Sequence, residues 1–314
     1  MSNESKGTEI RWVKYPVLDD GFVCLVDWMG DDSSITQAAR VSYGSEAKTP
    51  EDDAKLIKFL MKHHHMTPFE MAELKFMVRV PMDTWRQWVR HRTASINEQS
   101  SRYRVLDDAF AKTAPEAWRK QSDTNRQGSG SPIGVKMGEK LTEYEQELHN
   151  VAYRTYQHRI DVGVAREQAR KDLPLSTYTQ AYWKIDLRNL LHFLGLRLAP
   201  DAQYEIRQYA NAIAEIVRVL FPATWEAFEI FCLNSVTFDS REFGMLARLL
   251  YARGVSPFTA EEIGEASRGD GDDPWWFADG TRARKELEAK LMDLGLIEVT
   301  NVKESDNKTS RLLS

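Results

Sequence analysis

The stretch LKFMVRVPMDTWRQWVRHRTASINEQSSRY, residues 74–103, changes texture twice, and its reading decides how the chain is built. Leu74, Phe76, Val78 and Val80 alternate with Lys75, Met77 and Arg79, which is the two-residue period of a strand with one face in a core and one face wetter. Pro81 ends that run because it brings no N–H to a ladder. Asp83 is placed to cap a helix that carries Trp85, Trp88 and Val89. The helix then delivers residues 90–103, which are almost free of aliphatic side chains. A strand and a helix thus follow each other directly and present a polar, arginine-rich segment at their end.

Working outward, residues 21–27 (GFVCLVD) read as a buried strand, and DDSSITQAARVS as a short helix after its Asp and Ser cap signals. Thr49 precedes Pro50 at a helix start, and Leu56, Ile57, Leu60 and Met61 then recur at helical spacing. Residues 120–134 (KQSDTNRQGSGSPIG) read as a surface loop that separates this block from a second, mainly helical one. There, long helices are expected over about 137–161, 164–171 and 187–198, with Asp201 opening a fourth that runs to Pro222. STYTQAYWKID, residues 176–186, alternates aromatic and polar residues as a strand does. The class is α/β or α+β. After about Ser235 the texture shifts to short helices, with a closing strand around RGDGDDPWWFADG, and this part reads as an appended small domain.

Composition bounds the function. The chain has 314 residues, 42% of them hydrophobic and 28% charged, enough to bury a substantial core. Its net charge of -5 argues against a general attraction to nucleic acid or an anionic membrane. No apolar run approaches the roughly 20 residues of a membrane span, and the polar N-terminus has no signal-peptide core, so a cytoplasmic protein is expected. Cys24 and Cys232 are far apart in apolar company and read as small core residues.

Against that acidic background, residues 86–104 hold five arginines and one histidine against the single Glu98. This is a local anion site. Guanidinium groups grip phosphate or carboxylate in bidentate fashion without losing charge, and serine hydroxyls or backbone N–H groups complete the cradle. Arg86 and Arg90 fall on one helical face, with residues 95–101 expected as a loop opposite. Glu98 either neutralises an arginine or accepts from a ligand hydroxyl or ring N–H. A solvated, salt-bridged helix end is the competing reading, and an RNA patch lacks an aromatic platform. GSGSPIG fails the dinucleotide fingerprint for want of a third glycine and a preceding strand. His63, His64 and His65 are consecutive and project in different directions, so no metal site is expected. No nucleophile with a nearby base can be placed.

Residues 90–103 fit the signature Arg-His-Arg-x-x-Ser-x-Asn-x-x-Ser-x-Arg-Tyr, and with it the chain resembles the flavin-dependent thymidylate synthases. The likeness extends through GFVCLVDWMGDDSSITQAARVSYG, KHHHMTPFE and DLPLSTYTQAYWKIDLRNLLHFLGLRLAPDAQYEIRQYA, over about residues 20–230. It implies a core with a mixed sheet and long helices over residues 1–234; residues 235–314 lie outside the likeness and read as a mainly helical extension whose short helices and closing strand resemble a winged helix. It implies reductive methylation of dUMP to dTMP with FAD as cofactor, NADPH and 5,10-methylenetetrahydrofolate as co-substrates, and a homotetramer with composite sites. No nucleic acid or membrane partner is implied. By similarity Gln87, Trp88, Val89, Arg90, Glu98, Gln99, Ser100, Ser101, Arg102, Arg170 and Arg197 meet dUMP. Arg197 is the catalytic candidate, placed to favour negative charge on the uracil. Ser42, His65, Thr67, Arg90, His91, Arg92, Glu98, Asp186, Arg188 and His192 meet FAD. Asp186, His192 and Asp201 depart from residues common in the family. A catalytically silent nucleotide- or flavin-binding homologue is the alternative reading. The extension carries 15 acidic and 11 basic residues, which argues against DNA and for a structural or docking role.

Overall fold

The structure, a computed structural model, describes residues 3–41, 49–107, 109–123, 128–254, 262, 282–293 and 296. Met1–Ser235 and Val236–Ser314 are two compact units. In the first, α1 (Asn3–Ile10), β1 (Lys14–Val17), β2 (Gly21–Met29), α2 (Asp32–Arg40) and α3 (Pro50–Lys62) precede β3 (Glu73–Pro81), α4 (Met82–Trp88) and β4 (Ser95–Glu98). Then come β5 (Arg119–Gln121), β6 (Ser129–Pro132), α5 (Val135–Asp161), α6 (Arg166–Ala169), β7 (Tyr178–Asp186), α7 (Leu187–Arg197), α8 (Tyr204–Leu220) and α9 (Pro222–Phe228). The second unit contains the helices Ser240–Ala252 and Arg282–Asp293 among its described residues. The expected closing strand around RGDGDDPWWFADG lies outside them, as does Ser42.

The protein is α+β. Its five-stranded sheet has the order β1-β2-β3-β7-β4, and every strand pair is antiparallel, where a mixed sheet was expected. The alternation read in residues 74–80 holds: Leu74, Phe76, Val78 and Val80 are fully buried, and Lys75, Met77 and Arg79 between them are not. Phe76 faces Trp183 and Val78 faces Ala181 across the β3–β7 ladder, so the inner face is a continuous apolar layer. The wetter face is laced by charge pairs, Lys184 with Glu73 at 3.0 Å and Lys75 with Asp27 at 3.3 Å.

Because β7 lies between β3 and β4, the chain's two halves share one sheet. Residues 120–134 therefore do not separate two blocks; β5 and β6, which lie largely within them, pair as a small hairpin instead. The arginine-rich stretch also departs from the expected loop, since Ser95–Glu98 forms edge strand β4 against Ala181–Lys184.

Helix starts were only partly legible. Thr49 caps α3 through its side chain, with Pro50 at the first position, as read. Asp83 does not cap α4. The helix begins one residue earlier, and its free N–H groups at Met82 and Asp83 donate to the carbonyls of Thr177 and Leu175 at 3.0 and 2.9 Å. This backbone docking seats α4 on the turn before β7. Asp201 is exposed and α8 starts later, at Tyr204. At the end of α3, His64 adopts φ 56° and His65 N–H donates to Leu60 O at 2.9 Å, a left-handed helix stop usually made by glycine.

Trp88 ends α4 and is fully buried, its ring 5.1 Å from those of Trp183 and Phe193 and 5.6 Å from Tyr209. These rings join α4, β7, α7 and α8. Cys24 is buried, but Cys232 is exposed, which corrects its reading as a core residue. No helix among the described residues is long and apolar enough to cross a membrane.

Candidate functional site

The pairing of β4 with β7 sets Glu98 beside Ala181 and near Thr179, joining parts of the chain about eighty residues apart. The Glu98 carboxylate accepts from Trp85 Nε1 at 3.0 Å and from Thr179 Oγ1 at 2.7 Å. Neither expected partner, an arginine or a ligand, fixes its orientation; a buried indole and a buried hydroxyl do. One lone pair on each oxygen remains for a further donor.

Glu98 lines a cavity of about 330 Å³ together with Gln99, Ser101, Arg170, Lys171 and Tyr178. The Arg170 guanidinium donates to the Ser101 hydroxyl, a close contact between residues 69 positions apart. Arginine, lysine, serine and a backbone turn on one wall, with Leu173, Pro174 and Leu175 on another, make a site for an anion attached to an apolar or aromatic body. The Tyr178 phenol donates to Asp19 at 2.5 Å, and burial and that hydrogen bond push its pKa up, so it stays protonated. Trp85, Lys171, Tyr178 and Thr179 were not singled out from the sequence. The alternation in STYTQ places the last two on a strand but gives no sign of what they face.

Arg102 is exposed, pairs with Glu167 at 3.1 Å and is not among the residues lining that cavity. Ser100 accepts from Arg102 N–H at 3.3 Å. Gln87 donates to Gln203 of the α8 start. Val89 is partly buried, and the Trp88 side chain lies wholly within the core, where no ligand reaches it. Arg90 and Arg92 are exposed, and neither guanidinium has a protein partner among the described residues.

A second group forms around α7. Arg188 and His192 lie one turn apart on a cavity of about 580 Å³ that also takes in His64, Asn189, Gly195 and Cys232. Arg188 pairs with Glu70. Asp186 uses both carboxylate oxygens on Asn189, accepting from its N–H at 2.9 Å and its side-chain amide at 2.7 Å, and so caps α7. His65 and Thr67 are exposed just after α3, the His65 ring edge-on to Phe59 at 5.9 Å. Among the described residues no cluster of His, Cys, Asp and Glu could hold a metal ion.

Arg197 ends α7 and donates from Nε to His91 Nε2 at 3.1 Å. An arginine has no lone pair to offer, so His91 Nε2 is the unprotonated nitrogen and the imidazole is neutral. Burial, the charge on Arg197 and then His192 lower the His91 pKa to about 4. Burial also lowers that of Arg197, without bringing so strong a base near neutrality. Folding thus disfavours the protonated imidazole. The stability contributed by neutral His91 is complete above the unfolded value near 6.5 and is lost as pH falls from there towards 4. Thermal melts at pH 7 and pH 4.5 will therefore show a smaller acid loss in His91→Gln than in the unaltered protein. Equal losses would contradict a neutral, arginine-facing imidazole.

Comparisons with known proteins identify the chain's relatives. Residues 24–223 match the family described as "Thymidylate synthase complementing protein". A "Flavin-dependent thymidylate synthase" from Thermus thermophilus is 52% identical over 235 residues, 75% of this chain and 85% of the relative. One from Wolbachia pipientis wMel is 46% identical over 247 residues, 79% of this chain and 87% of that one. Among solved structures, the UMP/dUMP methylase PolB from Streptomyces cacaoi bound with 5-Br dUMP superposes with a TM-score of 0.64 at 33% identity. That match covers 71% of this chain and 100% of PolB.

Proposed function

The chain belongs to the flavin-dependent thymidylate synthase family, and from that premise we propose that it methylates dUMP to dTMP. The carbon comes from 5,10-methylenetetrahydrofolate and the reducing equivalents from NADPH through FAD, with tetrahydrofolate released. Residues 1–234 are the catalytic part. One observation carries the assignment of the substrate site: the 330 Å³ cavity gathers Glu98, Gln99, Ser101 and Arg170, all expected dUMP residues, from both sides of the β4–β7 pairing.

Arg170 and Ser101 hold the phosphate, with Lys171 adding positive charge, while Glu98 accepts from the nucleotide with its carboxylate braced by Trp85 and Thr179. Arg197 supplies fixed positive charge where the uracil ring becomes anionic as C5 turns nucleophilic. Its Nε is committed to His91, which leaves the two terminal nitrogens for the ring. Arg90 and Arg92, without protein partners among the described residues, are free to meet an anionic cofactor such as FAD, and Arg188 and His192 border the larger cavity. When bound, the flavin supplies the hydride. No protein nucleophile is required: Cys24 is buried and its thiol pKa is raised by burial.

Arg197 is absent from the lining of the cavity that holds Arg170. A homotetramer whose sites combine residues of different copies would reconcile the two groups.

The deciding experiment is tritium release from dUMP labelled at C5, with FAD, methylenetetrahydrofolate and NADPH supplied, and with NADPH then withheld. Release that depends on the reductant supports the reaction; none under anaerobic, flavin-replete conditions points to a silent nucleotide-binding homologue. Arg170→Ala should raise the dUMP KM roughly 10- to 100-fold, the cost of one charge-assisted contact of about 1.5–3 kcal/mol, with flavin content unchanged. Equal loss of both ligands would mean the cavity is not the nucleotide site.

A further inference from the structure

One wall of the 330 Å³ cavity is the turn that leads into β7. Of residues 173–179, Ser176 alone does not line it. Its hydroxyl instead shares a hydrogen bond of 2.8 Å with Nε2 of His149 on α5. His149 is buried, its ring stacked on Phe110 at 4.7 Å with 18° between the planes. Phe110 forms an isolated bridge with Thr177, and Ala111 N–H donates to Ser176 O at 2.8 Å. The imidazole is thus held against the turn both by a hydrogen bond and by a ring.

About two turns further along α5, Tyr156 is buried on the same face. Its phenol oxygen accepts from Leu106 N–H at 3.0 Å, and Leu106 lines the cavity. Arg159, a turn beyond, donates to Ala169 O at 3.2 Å and pairs with Asp172 at 2.5 Å, which fixes the short segment carrying Arg170 and Lys171. Three side chains of α5, none of them lining the cavity, therefore hold three of its parts. Buried polar atoms cost free energy unless they are paired, and a leucine or phenylalanine would pack the inner face of α5 without that cost. The partners that His149 and Tyr156 do have all belong to the cavity walls or to the strand of chain bridged to them.

We propose that His149 and Tyr156 are positioning residues for the nucleotide. They lie outside the cavity and act through the groups they hold: His149 fixes the Leu173–Thr179 wall through Ser176, and Tyr156 fixes Leu106. The proposal rests on the reading of this cavity as the dUMP site. The turn also keeps its backbone bonds to α4, from Asp83 N–H to Leu175 O and from Met82 N–H to Thr177 O. Losing the His149 bond therefore shifts a wall within a folded protein, and the consequence is weaker dUMP binding.

Calorimetric titration of dUMP into the flavin-loaded protein, below its melting temperature, tests this. His149→Leu, Ser176→Ala and Tyr156→Phe should each raise the dUMP Kd by about three- to tenfold, the net worth of one hydrogen bond in an equilibrium constant. Flavin content and kcat at saturating dUMP should be unchanged. His149→Leu/Ser176→Ala should bind dUMP no more weakly than either single variant, because both changes remove the same bond. His149→Gln, whose amide reaches the place of Nε2, should bind nearly as the unaltered protein does, while His149→Asn, whose amide reaches only that of Nδ1, should not. A role in stability alone would lower Tm and leave Kd where it was. A Kd unmoved in these variants, additive losses in the double variant, or a glutamine no better than the asparagine would overturn the proposal. If His149→Leu does not fold, Ser176→Ala and Tyr156→Phe decide, since each removes a single oxygen. An unaltered protein that binds no dUMP would overturn the functional reading and this proposal together.

Discussion

Arg197→Ala is expected to reduce dUMP turnover by about two to three orders of magnitude, the usual cost of removing a preorganised donor from developing negative charge. Flavin content should be unchanged, because the proposed cationic contacts to the flavin, Arg90, Arg92 and Arg188, are left in place. The side chain is positioned from two directions: α7 sets its backbone, and the hydrogen bond from Nε to His91 fixes the guanidinium plane. Arg197→Lys restores charge without the planar fork and should recover only part of the rate. A second readout checks the geometry apart from chemistry. With the guanidinium gone, the His91 pKa should rise from about 4 towards its ordinary range, since the arginine is one cause of its depression. A variant that turns over normally would remove Arg197 from the mechanism. A His91 titration that does not move would break the structural contact.

Trp88→Ala should destabilise the protein by about 3–5 kcal/mol, as expected for truncating a large aromatic in a closed core. For a unit of this size that is a fall in Tm of roughly 10 °C. The indole fills the space between β7, α7 and α8, and its loss leaves a cavity lined by Trp183, Phe193 and Tyr209, none of which can follow it inward. Trp88→Phe should cost much less. The resemblance assigned Trp88 to dUMP, but its burial assigns its side chain to the fold. Urea unfolding separates the two roles: a variant as stable as the unaltered protein but poor in dUMP binding would return Trp88 to the site.

What the sequence determined by itself was local. Alternation in residues 74–80 identified β3 and its buried face, Thr49 and Pro50 marked the start of α3, and spacing in residues 137–161 and 206–217 gave α5 and α8. The fixed spacing from Arg90 to Tyr103 carried the family resemblance, and five arginines against one glutamate in an acidic chain pointed to an anion, with a solvated helix end as the competing reading. Tertiary structure decided what sits beside what. The insertion of β7 between β3 and β4 is a pairing of distant segments, and strand periodicity says which face is buried without saying which strand is next. It turned an expected loop into β4 and placed Trp85 and Thr179 behind Glu98. The same distant packing gave the start of α4 to the carbonyls of Leu175 and Thr177 in place of Asp83, a substitution invisible locally because any backbone can supply a carbonyl. His91 looks like an ordinary basic residue in the sequence. Burial beside Arg197 makes it neutral, since desolvation and a neighbouring positive charge both act against the protonated ring.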